Sequence, residues 1–424
     1  MSQPPASVPS ASWLPALSAD GWLMFATCGV RNFAYGFLSV VLGLYLAELG
    51  LEPAAIGAIF TAALAGGAAM TVALTGLADR LGRRRLLVVG AALMALAGAT
   101  FAVAAAPLLL GLAAVLGSIS PSGKEVGPFL SIEQAILPQT TGAERRTSTF
   151  AAYNLVASLA GALGALAVGL PALLGLDALA GYRALVWGYA AAAVVLLVLF
   201  ARLSPAVEAP PADAQGGPAG LGVGRSRGVV ARLAALFALD AFAGGFVVQS
   251  VMAYWFYLRY GVDPGLLGAI FFGTNLLAAL SFLAAAPLAR RFGLLNTMVF
   301  THLPSNVLLL LVPLMPGLAP AVAMLLARYL LSQLDVPTRQ SYTMAIVDPA
   351  DRAAAAGVLS VARNAAAALG PALATPALAV PALGLPFLVA GALKIAYDLA
   401  IWAVFRRVRP PEEGGRSPAS AAPR

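Results

Sequence analysis

The chain has little of what soluble proteins use most. Only 10% of its 424 residues are charged, against roughly a quarter in an average soluble domain. It has one cysteine, Cys28, and one histidine, His302. A single cysteine excludes an internal disulfide and a clustered-thiol metal site. A single histidine argues equally against an imidazole-based metal centre, so no metal or other cofactor is expected. The first twenty residues carry no Lys or Arg. A cleaved secretory leader needs a basic start, so residues 1–20 read instead as a disordered cytoplasmic tail.

What fills the chain is apolar sequence, at 60% hydrophobic residues. A run of about 20 apolar residues spans a bilayer. Such runs fall near 21–48, 54–78, 86–106, 108–137, 147–170 and 182–202, then near 229–258, 264–289, 295–315, 318–345, 353–380 and 384–406. The expected fold class is an all-α integral membrane protein with twelve transmembrane helices. They form two six-helix bundles, 21–202 and 229–406. Residues 203–228 are rich in Pro, Gly and Ala without helical or strand period and read as a flexible cytoplasmic linker. Residues 407–424 read as a second disordered tail.

The net charge of +8 is explained by placement, without a nucleic-acid partner. With alternating span direction, nineteen of the 26 Lys and Arg fall on one side, and the opposite loops hold only Arg183 and Arg259. The positive-inside bias then puts both termini in the cytoplasm, and a bacterial inner (cell) membrane is the expected location.

The two halves repeat. Gly50-Leu-Glu-Pro-Ala-Ala-Ile-Gly-Ala-Ile-Phe60 aligns without a gap on Gly261-Val-Asp-Pro-Gly-Leu-Leu-Gly-Ala-Ile-Phe271, and the same offset sets Gly82 opposite Gly293. Upstream, after two inserted residues, Arg31 lies opposite Asp240. Parallel six-helix repeats with a site between them are a transporter architecture. Leu77-Ala-Asp-Arg-Leu-Gly-Arg-Arg-Arg85, between spans 2 and 3, resembles the loop signature of the major facilitator superfamily, and Ala286-Pro-Leu-Ala-Arg-Arg-Phe-Gly293 is similar to its decayed copy. That resemblance implies two bundles rocking about a central cavity lined by helices 1, 4, 7 and 10. It also implies a gating role for Asp79, Arg80, Gly82, Arg83 and Arg84. Glu133 and Glu144 are the acids expected to pair with these arginines.

Charge inside a span costs roughly 2.5–3.5 kcal/mol on the lenient insertion scale, so the charges found there must face one another or water. Arg31 lies in span 1, Lys124 and Glu125 in span 4, Asp240 in span 7, and Arg328 and Asp335 in span 10. Arg328, Ser332, Asp335 and Arg339 recur at helical spacing and make one polar stripe. Span 4 is interrupted by Gly117-Ser-Ile-Ser-Pro-Ser-Gly-Lys-Glu-Val-Gly-Pro128, and irregular backbone at membrane depth belongs beside a cavity. Arg31, Tyr35, Lys124, Asp240 and Arg328 are therefore the expected solute contacts, with Glu125 and Asp335 carrying a coupling proton. Static ion pairing is the alternative for any one of them. Lys394 and Asp398, four residues apart in span 12, are expected to neutralise each other.

The function expected is secondary active transport of a small organic solute, anionic or zwitterionic, by alternating access with proton coupling. Efflux is favoured over uptake, and the carrier works as a monomer. A uniporter or uptake carrier of the same fold and a non-transporting receptor are the alternatives. A membrane enzyme would need a nucleophile–base pair or metal cluster, and neither is evident.

Overall fold

A computed structural model describes residues 17–124, 129–141, 146–208 and 224–408. Among the described residues the longer helices fall into the twelve expected spans in chain order. In the first half they are α1 (Ala19–Glu48), α2 (Pro53–Leu81), α3 (Arg83–Val103), α4 in two pieces, α4a (Pro107–Leu116) and α4b (Phe129–Ile136), α5 (Arg146–Leu166) and α6 (Ala178–Ala201). In the second they are α7a (Arg227–Gly245) and α7b (Gln249–Tyr260), α8 (Pro264–Phe292), α9 (Leu294–Leu311), α10a (Leu318–Ser332) and α10b (Asp335–Ile346), α11 (Arg352–Ala374) and α12 (Leu385–Phe405).

The repeat has a visible basis in how these helices start and stop. Pro53 opens α2 and Pro264 opens α8, where a missing N–H is harmless and φ is pre-set. Asp263 caps α8 through the Leu266 amide at 3.0 Å. Gly82 separates α2 from α3 at φ 93°, and Gly293 separates α8 from α9 at φ 85°, a region that disfavours any residue with a Cβ. The packing repeats too. α1 packs on α5 and α6 as α7a packs on α11 and α12, and α3 lies on α6 as α9 lies on α12.

Among the described residues nine helices are long and apolar enough to cross a membrane. α4, α10 and α11 fall short for physical reasons: the first two are broken, and α11 carries Arg363 in its middle. These are the elements where polar groups concentrate.

The two halves join along α2 with α11 and α5 with α8, and through α1 with α7b. The last contact lies at the end of the bundle remote from the termini, here called the far end. Toward the near end, α4b packs on α2 and α3 while α10b packs on α8 and α9, each within its own half. α4b and α10b do not rank among the closely packed pairs, so the candidate cleft between the halves is taken to lie on that side.

The stretch expected as a free linker is anchored at both ends. Glu208 accepts hydrogen bonds from the Arg83 and Arg84 amides at 2.6 and 3.3 Å. Ser204 is held by Asp20 at 2.9 and 2.6 Å. At the other end Asp351 receives the Gly224 and Ser226 amides at 3.0 and 2.9 Å.

Candidate functional site

Two buried charge clusters occupy matching places in the halves. In the first, Arg31 of α1 makes a two-point ion pair with Glu133 of α4b, at 2.9 and 2.5 Å. Both side chains are fully buried. Thr27 donates to the same carboxylate at 3.1 Å, Tyr153 of α5 donates to it as well, and the guanidinium lies 4.9 Å from the Phe129 ring centre. This two-point geometry satisfies both ions at once.

In the second, Asp240 of α7a is the hub. Lys394 of α12 reaches it at 2.5 Å, Arg339 of α10b at 3.1 Å and Arg363 of α11 at 3.5 Å. Arg339 also pairs with Asp335 at 3.2 Å. The first and fourth spans of each half thus supply an ion pair of opposite sense: the cation comes from α1 in one half, the anion from α7a in the other. The first cluster closes on itself. The second holds three cations to two carboxylates among the described residues, and the Arg363 side chain is 31% exposed.

In the other half Lys124, exposed on the α4 break, is within electrostatic reach of Asp335 and Arg328. Ser120 and Ser122 shape that break, donating to the Lys124 carbonyl at 2.6 Å and accepting from the Lys124 amide at 3.3 Å. Arg328 is 93% buried by its 7% exposure, with its guanidinium 5.0 Å from the Tyr329 ring centre and its Nε without a hydrogen-bond partner. Among the described residues no carboxylate pairs with it.

The far end is shut by hydrogen bonds between the halves. Gln249 donates to Ser39 Oγ at 2.9 Å and the Ser250 hydroxyl to the Ser39 carbonyl at 2.7 Å. The Ser250 amide donates to the Pro121 carbonyl at 2.9 Å, and the Ala372 amide to Thr61 Oγ1 at 3.1 Å.

Several expectations meet a different geometry. Arg31 and Tyr35 are 0% exposed, Arg31 held by Glu133 and Tyr35 lying 6.4 Å from the Tyr189 ring. Glu133 belongs to Arg31 and not to the loop arginines. Arg83 instead places its guanidinium 3.5 Å from the Ala135 carbonyl, and Arg84 reaches the Ala201 carbonyl at 2.5 Å, which ties α3 to α4b and α6. Arg80 is exposed. The Asp79 side chain, Glu125 and Glu144 lie outside the described residues. Lys394 and Asp398 do not neutralise each other: Lys394 turns to Asp240, and Asp398 accepts from His302 at 2.8 Å and Asn306 at 2.8 Å. The polar stripe on span 10 is cut by the break at Gln333 and Leu334, which leaves Arg328 apart from the Asp335–Arg339 pair.

A family model described as the Major Facilitator Superfamily matches residues 24–334. The chain belongs to the major facilitator superfamily. Known proteins resemble it over nearly their whole length. An uncharacterized membrane protein of Saccharomyces cerevisiae, YJR124C, is 30% identical over 422 residues, covering 92% of this chain and 94% of the relative. A mutant of the nucleoside transporter NupG superposes with a TM-score of 0.75 at 14% identity, over 91% of this chain and 99% of that one. A bacterial homologue of the human lysosomal transporter Spinster, inward-facing and unoccupied, gives 0.70 at 16% identity, over 94% and 98%.

As a superfamily member the protein is a multi-pass membrane transporter. The site residues that sequence reasoning missed are the ones whose partners are far along the chain. Tyr153 has no signal of its own in an Ala-rich helix. Ser39 reads as an ordinary small residue. A lone His302 gives no metal signal, but a buried imidazole needs a partner, and Asp398 is that partner.

Proposed function

We propose that this superfamily member carries a small anionic organic solute across the membrane by alternating access between its halves. The observation that supports it is positive charge gathered between the halves: Lys124 on one side, and on the other Arg363 and Arg328, which has no carboxylate partner among the described residues. An uncompensated guanidinium in a low-dielectric site favours a carboxylate, phosphate or sulfate ligand. Lys124 and Arg328 bind the solute, and the Asp240 cluster supplies the second wall. In this reading the cleft opens on the side of the termini, and the basic loops favour the cytoplasm for that side. The two bundles, 21–202 and 229–406, are the moving bodies. The carrier acts as a monomer, performs no chemistry on the solute and exports it.

A proton drives the cycle in this reading, since a charge falling through 100 mV yields about 2.3 kcal/mol. Asp335 and Glu125 are its expected carriers.

The test is flux in reconstituted vesicles, with a panel of labelled carboxylates, organic phosphates, sulfates, neutral nucleosides and amines. Accumulation of an anionic class is expected, reduced at least about tenfold in Lys124→Gln and Arg328→Gln, the equivalent of one lost charge-assisted hydrogen bond. Movement of neutral or cationic solutes only, or full activity in both variants, overturns the anion reading. If Glu125→Gln and Asp335→Asn both keep pH-driven flux intact, the coupling assignment falls.

A further inference from the structure

α8 and α9 each pack more extensively on α10 than on each other. Between them is a groove of about 420 Å³, lined by Leu288, Phe292, Asn296, Thr297, Phe300 and Thr301. That volume falls in the range of ligand sites, about 300–1,000 Å³. The close packing partners of α9 all belong to its own half. Phe292 and Phe300 are 52% and 56% exposed, so the groove lies on the outside of the second half, where lipid is the solvent. α8 runs toward the near end and α9 leaves it. Leu288 and Phe300 are therefore the deepest of these residues, and Phe292 and Asn296 stand at the mouth.

Apolar side chains on such a face need no explanation, but polar ones do. Thr297 is 3% exposed, and its hydroxyl is buried with no hydrogen-bond partner. A helical threonine commonly returns its hydroxyl to the carbonyl four residues back. Thr301 does so to Thr297 at 2.8 Å, as do Thr71, Thr100 and Thr343 elsewhere. Thr297 does not, and one χ1 step exchanges its methyl and hydroxyl, which turns the oxygen toward whatever fills the groove. Asn296 gives one N–H to the Phe292 carbonyl at 3.1 Å and keeps its amide oxygen and a second N–H at the exposed rim. Arg291 is exposed at the mouth, its guanidinium 5.3 Å from the centre of the Phe292 ring.

The fold itself does not require these side chains, because the other half does without them. In the register that sets Gly82 opposite Gly293, the lining residues stand opposite Leu77, Leu81, Arg85, Leu86, Val89 and Gly90. That face of the first half has no hydroxyl, no side-chain amide and no aromatic ring. We propose that the α8–α9 groove binds an anionic phospholipid of the surrounding bilayer. Its phosphate sits on Arg291 and Asn296, an ester oxygen takes the Thr297 hydroxyl, and an acyl chain runs inward along Leu288 and Phe300. Guanidinium pairs with phosphate through two parallel hydrogen bonds, and basic pockets at the cytoplasmic ends of spans select anionic headgroups. The basic loops favour the cytoplasm for this end of the molecule.

Native mass spectrometry of the full-length protein in detergent counts bound lipids directly. The probes are phosphatidylglycerol and phosphatidylcholine with the same acyl chains, and glycerol phosphate, which has the anion without the chains. The tightest phosphatidylglycerol is expected to bind about tenfold better than phosphatidylcholine, the scale of one charge-assisted hydrogen bond. Arg291→Gln and Thr297→Val should each weaken it by about tenfold. Neither loss should come from unfolding: Arg291 is exposed, and Thr297→Val is near-isosteric and removes a stranded hydroxyl. In lipid-free detergent both variants should therefore melt no lower than the parent. Parent-like phosphatidylglycerol binding in either variant overturns the proposal. So does phosphatidylcholine or glycerol phosphate bound as tightly as phosphatidylglycerol. No solute is needed, so failure here is distinct from failure of the flux experiment.

Discussion

Glu133 has no water to turn to. It is fully buried against Arg31, and a buried ion pair tolerates the loss of both charges better than the loss of one. Glu133→Gln strands the guanidinium and should cost about 3–5 kcal/mol, read as a large fall in the thermal midpoint in detergent. Arg31→Met with Glu133→Met removes both charges and should recover much of that loss. A double variant no more stable than the single one would show that the pair is held by packing and not by charge. At this scale the sequence was half legible. A charge such as Arg31 within an apolar run announces itself, because burying it demands a partner. Which carboxylate answers is not announced: Glu133 lies 102 residues away, beyond a break in α4 that scrambles the helical register.

At the scale of elements, the breaks carry the design. The α7 kink between Gly245 and Gln249 turns Gln249 and Ser250 toward Ser39 of α1, and the α4 break brings the Pro121 carbonyl to the Ser250 amide. These bonds cross between halves that must part if the far end is to open. Gln249→Leu removes a donor to Ser39 Oγ and leaves an apolar side chain in its place. The expected outcome is a shift toward far-open conformations, with longer distances between spin labels at the far ends of α1 and α7b. Cys28 is the one native thiol and is 0% exposed, so labelling begins from a quiet background. Unchanged distance distributions would remove these bonds from the gate. The span limits themselves were readable to within a few residues, since apolar length and Pro or Gly punctuation are local. The interruption of span 4 was readable too, from its Ser, Gly and Pro. Spans 7 and 10 read as continuous apolar runs, although Gly244-Gly245 at the end of α7a and Pro337 in the first turn of α10b mark their breaks.

For the whole molecule, the join between the halves matters as much as the cleft. The connecting stretch looked free because Pro, Gly and Ala give no period. Yet Glu208 fastens one end to the start of α3, and Asp351, ahead of α11, fastens the other to the start of α7a. The Ser226 and Gly224 amides hold the Asp351 carboxyl below the usual carboxylate range, Ser226 contributing most. A carboxyl depressed on folding stabilises the fold at pH above its unfolded value, near 3.9, and that contribution is lost as pH falls through the depressed folded value. Asp351→Asn should therefore lower the melting temperature at neutral pH and speed hydrogen exchange at the Ser226 amide. The difference in melting temperature from the parent protein should close as the pH drops below about 4. A gap that persists in acid would mean that the aspartate acts through shape and not through its charge. In a carrier whose halves must rock, a clamp of this kind sets where rigid bundle ends and connection begins, so the variant should alter the near-end opening before it alters either bundle.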